Sequence, residues 1–186
     1  MRPGAQRRAE VWRNSETLFV ATMEATPDHG LRPRRNLLSH YLNEGAHDKA
    51  LPLARRLHER AQEDETQSDR NRAEYARHLG FVLMRTGQPD EGKLLIEQAT
   101  VTDSTYGQPF LDLGHLAGTQ GDHPQAMTWV ERGVHAEPNN PVARFNLAIA
   151  LRELDRRGQA KDNLRSAIQL GYADPSSHKS RDAMLW

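Results

Sequence analysis

Apolar and small residues return to the same places every 34 positions along most of this chain. The clearest stretch is Gly107 to Pro175, where two copies of one pattern run head to tail. Leu113-Gly114 in the first copy falls on Leu147-Ala148 in the second, Ala126 on Ala160 and Gly133 on Ala167. One step back gives Leu79-Gly80, Gly92 and Ala99. Inside each copy the apolar residues keep helical spacing in two runs parted by a turn, so each copy predicts a pair of amphipathic helices.

Residues 1–9 are rich in Arg, Pro and Gly and are expected to form a frayed lead-in. Val11, Leu18, Phe19, Ala21 and Thr22 predict a capping helix within residues 10–30, stopped at Pro27-Asp28-His29-Gly30. Residues 31–72 form the first repeat. Leu37, Leu38 and Tyr41 stripe its first helix, Asn43-Glu44-Gly45 turns the chain, and Asp48 is placed to cap a second helix that holds Pro52 in its first turn. Ala50 to Gly92 is 42 residues rather than 34, and the eight extra fall around the acidic run at 63–70. Such a run predicts a lengthened second helix with a solvated loop; a partner-contacting loop is the alternative. The second repeat, 73–106, has a Thr86-Gly87 turn and a helix opened by Pro89-Asp90. There Gly92 stands in a slot filled elsewhere by Ala, which is expected to weaken that helix by roughly 0.5–1 kcal/mol. Residues 107–140 and 141–174 are the third and fourth repeats, and 175–186 is expected to be a short C-terminal capping helix, unless the chain stops within a longer array.

On the Leu-Gly, small-residue, Ala and Pro slots from 31 to 175 the chain resembles the tetratricopeptide repeat (TPR) family. That resemblance implies an all-α fold, a right-handed superhelical solenoid of antiparallel helix pairs forming a single domain over residues 1–186. It also implies partner binding rather than chemistry, with the first helix of each pair lining a concave groove. On that frame the lining residues are Arg35, Asn36, Ser39, Arg77, Phe81 and Met84, then Leu111, His115 and Gly118, then Phe145, Asn146, Ile149 and Arg152. Asn36 and Asn146 occupy the slot where the family's Asn bonds a bound peptide's backbone. The lining is basic at its N-terminal end and apolar further on, so the expected partner is a protein or peptide segment with an acidic end and apolar anchors. Packing of Phe81, Phe145 and Ile149 between neighbouring repeats is the competing reading of those three. The carboxylate clamp of chaperone-binding members is not expected, since Ser39 and His78 replace its Asn positions and Asp112 brings the wrong charge.

A second resemblance lies in residues 8–45. Arg8, Trp12, Thr17-Leu18-Phe19 and Pro27 look like the junction in membrane glycosyltransferase-type proteins where the last span gives way to a TPR array. It implies an alternative function, an accessory domain positioning the substrate or complex of such an enzyme. Arg2, Arg7, Arg8 and Arg13 would then lie near lipid headgroups. The compartment follows the reading: cytoplasmic for a free-standing protein, periplasmic or membrane-associated for the domain of a larger one.

Charge and composition narrow the remaining classes. Lys and Arg number 25, Asp and Glu 25, and the pI is about 7.2, which argues against nucleic acid as partner. There is no cysteine, so disulfides, thiolate chemistry and Cys-type zinc sites are excluded. No apolar run approaches the roughly 18 residues of a membrane span, and the charged N-terminus does not read as a signal peptide. The chain reads as soluble. Nine histidines include no pair one helical turn apart and no HExxH; His78 and His115, on consecutive first helices, are expected to be solvated or hydrogen-bonded rather than ligands. No glycine-rich phosphate loop, nucleophile–base pair or paired carboxylates stand out. No catalytic residue, metal or cofactor is predicted.

Overall fold

The computed structural model describes residues 31–172, so both capping segments, and the stretch up to residue 30 that carries most of the junction resemblance, lie outside the described residues. Eight helices follow one another with no strand among the described residues: α1 (Leu31–Asn43), α2 (His47–Glu63), α3 (Asp69–Arg85), α4 (Pro89–Thr102), α5 (Gly107–Thr119), α6 (His123–Ala136), α7 (Pro141–Glu153) and α8 (Arg157–Gln169). They pair as α1/α2, α3/α4, α5/α6 and α7/α8, the helix-turn-helix order of an α-solenoid. The described residues form two compact units that divide within α4, one ending at Leu95 and the other beginning at Ile96.

In the first unit Leu38, Leu57, Tyr75, Leu79, Val82 and Leu83 build the core around Ala50, Ala54 and Ala61. The alanines let the helices approach closely enough to exclude water from the leucines. In the second, Leu111, Val130, Leu147 and Leu151 surround Ala143 and Ala160. The helix-crossing slots carry different residues in successive pairs: Gly80 and Gly92, then Gly114 and Ala126, then Ala148 and Ala160, all buried. A Cβ on Gly114 would lie 2.5 Å from Val130 Cγ2, so that position admits no side chain without movement.

Three local expectations are corrected. Asp48 does not cap α2: the helix starts at His47, its N-cap is Ala46, which makes no side-chain bond, and Asp48 lies inside the first turn. Pro52 is then the sixth helical residue rather than a first-turn one, and its missing N–H leaves the Asp48 carbonyl without its helical donor. The eight extra residues do not lengthen α2 alone. Both α2 and α3 have 17 residues, against 13 or 14 in the other six helices, so the insertion is shared as about one turn on each. Ser68 caps α3 by accepting from Asn71 N at 3.2 Å. Arg72 then reaches back, its Nε donating to the Ala61 carbonyl and its Nη2 to that of Asp64, both at 3.2 Å, where the α2 dipole favours a cation. The loop between is held by the Asp64 carboxylate, which accepts from Thr66 N, Thr66 Oγ1 and Gln67 Nε2 at 2.9, 2.6 and 2.8 Å. Those hydrogen bonds stabilise the charged form and hold its pKa below the ordinary carboxylate range.

Gly45, Gly87 and Gly121 turn the chain between paired helices with φ of 67°, 85° and 80°. The fourth turn places Asp155 in the same slot at φ 57°, a left-handed conformation that an L side chain resists.

Candidate functional site

In the second unit α5, α6 and α7 enclose a cleft of about 300 Å³. Gly114, His115, Gly118 and Thr119 come from α5, His123, Ala126 and Val130 from α6, and Asn146, Ile149, Ala150 and Glu153 from α7. The sequence builds this space by omission. Gly118, Ala126 and Ala150 are too small to fill the angle between the helices; a Cβ added to Gly118 would meet Ala126 Cβ only at 3.8 Å. Around that floor stand polar groups: the two imidazoles, the Asn146 amide and the Glu153 carboxylate. Glu153 is held below the usual carboxylate range, first by hydrogen bonding to Arg152 and then by that cation's charge, with His123 adding to it. Arg152 Nη2 donates to Glu153 Oε1 at 2.7 Å. An apolar bottom rimmed by a few hydrogen-bonding groups suits one or two apolar side chains of a larger ligand.

Of the residues the sequence assigned to a groove, His115, Asn146 and Ile149, with Gly118, come together here, and Ile149 remains 38% exposed. Leu111 is a correction: it is 2% exposed and part of the core. Gly133 on α6 explains this, because a Cβ there would lie 2.8 Å from Leu111 Cδ2, so the missing side chain forms the socket that takes the leucine. Phe145 stacks on Tyr172, ring centroids 4.2 Å apart and planes 16° from parallel, and is half-buried. Arg152 is exposed beside the cleft, paired with Glu153. Thr119, His123, Ala126, Ala150 and Glu153 were not anticipated as lining.

The first unit places the other six. Asn36 and Ser39 are exposed on α1, with Arg35 half-buried beside them. On α3, Phe81 is half-buried, its ring under the Arg85 guanidinium at 5.4 Å and edge-on to His47 at 6.1 Å. Met84 lies against α4 at Gly92. Next to Arg77, His78 is pushed down to about 4, chiefly by burial and then by the charges of Arg77 and Arg35. It is therefore a neutral imidazole near neutral pH. Among the described residues no group of three or more His, Asp or Glu side chains is arranged to hold a metal, and no helix is long and apolar enough to cross a membrane.

Comparison with known proteins agrees with this architecture. The tetratricopeptide repeat family profile matches residues 107–132 and 141–166, the two copies that form α5 to α8. A crystal structure of MamA superposes with a TM-score of 0.61 at 17% identity, covering 91% of this chain and 95% of that one. The C-terminal part of a TPR repeat-containing protein from Cytophaga hutchinsonii gives 0.63 at 15% identity, over 89% and 64% of the two chains. The small glutamine-rich tetratricopeptide repeat-containing protein 2 of Mycosarcoma maydis is 26% identical over 100 residues, 54% of this chain and 28% of that protein's length. The fold is thus an all-α tetratricopeptide-repeat solenoid.

Proposed function

We propose that this chain is a non-catalytic interaction scaffold that holds a segment of a protein partner, with the α5–α7 cleft taking an apolar anchor side chain. The observation that carries the reading is the floor of Gly118, Ala126 and Ala150 beneath an exposed Ile149 and a polar rim. Such a floor leaves room for another molecule's side chain, while Asn146 and the two histidines supply hydrogen bonds to its backbone. Micromolar binding at such a groove would correspond to roughly −8 kcal/mol.

The test fills the cleft. Gly118→Leu puts a side chain into the open floor, and Ile149→Glu replaces the exposed apolar wall with a charge. Each is expected to abolish capture of the partner that the unaltered chain retains from its native extract, with a thermal midpoint within a few degrees of the parent. Undiminished capture by both variants would move the site elsewhere. The alternative is an accessory domain that positions the substrate or complex of a glycosyltransferase-like membrane protein, and a native polypeptide far larger than 21 kDa in the membrane fraction would favour it.

A further inference from the structure

We infer that Glu137, outside the cleft, is the positioning residue that sets the spacing of the two helices forming its walls; this rests on the cleft being the binding site. Helix α5 opens at Gly107, and its own N-cap residue, Tyr106, makes no side-chain capping hydrogen bond to it. The missing acceptor comes from 30 residues further on, where the Gly107 N–H donates to Glu137 Oε1 at 3.0 Å. The other carboxylate oxygen accepts from Asn140 Nδ2 at 2.7 Å. Asn140 is in turn the cap of α7, its Oδ1 accepting from Val142 N at 2.9 Å and Ala143 N at 3.2 Å. One carboxylate therefore ties the N-terminus of α5 to the N-terminus of α7. The seat is close: a Cβ on Gly107 would lie 2.9 Å from Glu137 Cδ.

The cleft lies toward the opposite ends of those helices, at Gly118 and Thr119 on α5 and Ala150 and Glu153 on α7. From Gly107 to Gly118 the helix rises about 16 Å, so each 5° of splay at the clasp moves the cleft wall by about 1.4 Å. A shift of about 1 Å is enough to spoil a preformed site. Clasp and cleft are thus the pivot and the far end of one lever.

The bridge needs two acceptor oxygens on one side chain, which glutamine lacks. In Glu137→Gln one of the two acceptors becomes an NH2 donor, so either the Gly107 N–H or Asn140 Nδ2 faces a donor, and Asn140 cannot turn its amide round while Oδ1 caps α7. Asn140→Asp keeps the cap but replaces the donor with an acceptor that repels Glu137.

Because the chain has no cysteine, nitroxide labels can be placed cleanly at Gln120→Cys and Arg152→Cys, at the far ends of α5 and α7. Pulsed electron–electron double resonance then reads the distance distribution in the parent, Glu137→Gln, Asn140→Asp and the double variant. Both single variants should broaden it by 1–2 Å at unchanged helicity, and the double variant should broaden it no further, as expected when both act on one bridge. An unchanged distribution in either single variant, or additive broadening in the double, would overturn the proposal. No partner is present in this measurement, so failure of the clasp appears here and failure of the cleft reading appears in the capture experiment.

Discussion

Gly92→Ala separates what local helix propensity says from what the packing says. Alanine in a helix is better than glycine by roughly 0.5–1 kcal/mol, and on sequence alone the substitution should stabilise. The structure reverses the sign. A Cβ at 92 would collide with the Gly80 carbonyl oxygen and would lie 2.6 Å from Met84 Cγ and 3.0 Å from Met84 N. The methionine stem can swing away; the two backbone atoms cannot move without parting α3 from α4. Overpacking costs about 1–3 kcal/mol, and contact with two backbone atoms puts this case in the upper part of that range, leaving a net loss of about 1–2 kcal/mol after the propensity gain. For a chain of this length that lowers the melting midpoint by roughly 3–6 °C. Urea and thermal melts followed by circular dichroism give the value. Gly158→Ala serves as control: it is also helical, with nothing within 4 Å of its new Cβ, and should gain up to about 1 kcal/mol. If Gly92→Ala proves as stable as the parent, the close approach of α3 and α4 is not what selects glycine there.

Asp155→Gly should raise stability by about 0.5–1 kcal/mol in the same melts, since it removes the left-handed strain. The exposed Asp155–Arg157 ion pair that it gives up is worth little. His78 predicts a pH dependence. Its folded pKa is about 4, below the usual 6.5, so below pH 6.5 the unfolded chain takes up a proton that the folded chain refuses. Stability from this group is complete above about pH 6.5 and declines as pH falls toward 4, by about 2 kcal/mol at pH 5. His78→Phe should flatten that part of the profile, and equal slopes for variant and parent between pH 6.5 and 4 would rule the group out.

The fold was legible because its period is carried by residues whose size is dictated by helix crossing. Gly80, Gly114 and Ala148 announce where helices meet, and Gly45 and Gly87 where the chain turns. The insertion was harder to place. Polar residues at the end of a long helix look like loop, and only Ser68 ahead of Asp69 marked the start of α3 four residues before the repeat frame put it. The site was half legible. Helical spacing tells which face a residue occupies but not whether a socket waits opposite, so Leu111 was assigned to the groove although Gly133 draws it into the core. Glu153, His123 and Ala150 reach the cleft from two helices, and no spacing within either reveals their convergence. Glu137 was visible only as part of a turn; its grip on Gly107 depends on a meeting of chain segments 30 residues apart.

The crossing slots also bear on how such an array can be copied and rearranged. Two glycines face each other in one pair, a glycine and an alanine in the next, two alanines in the last. A repeat duplicated in place keeps its own partner and can be inherited whole. The second helix of the Gly80 pair is the one that cannot be exchanged: the Ala126 strip grafted opposite Gly80 reproduces the Gly92→Ala collision, whereas Ala126 and Ala160 match in the last two pairs. At the Gly80–Gly92 crossing the module that must be inherited whole is therefore the helix pair, and a breakpoint between its two helices carries the collision with it.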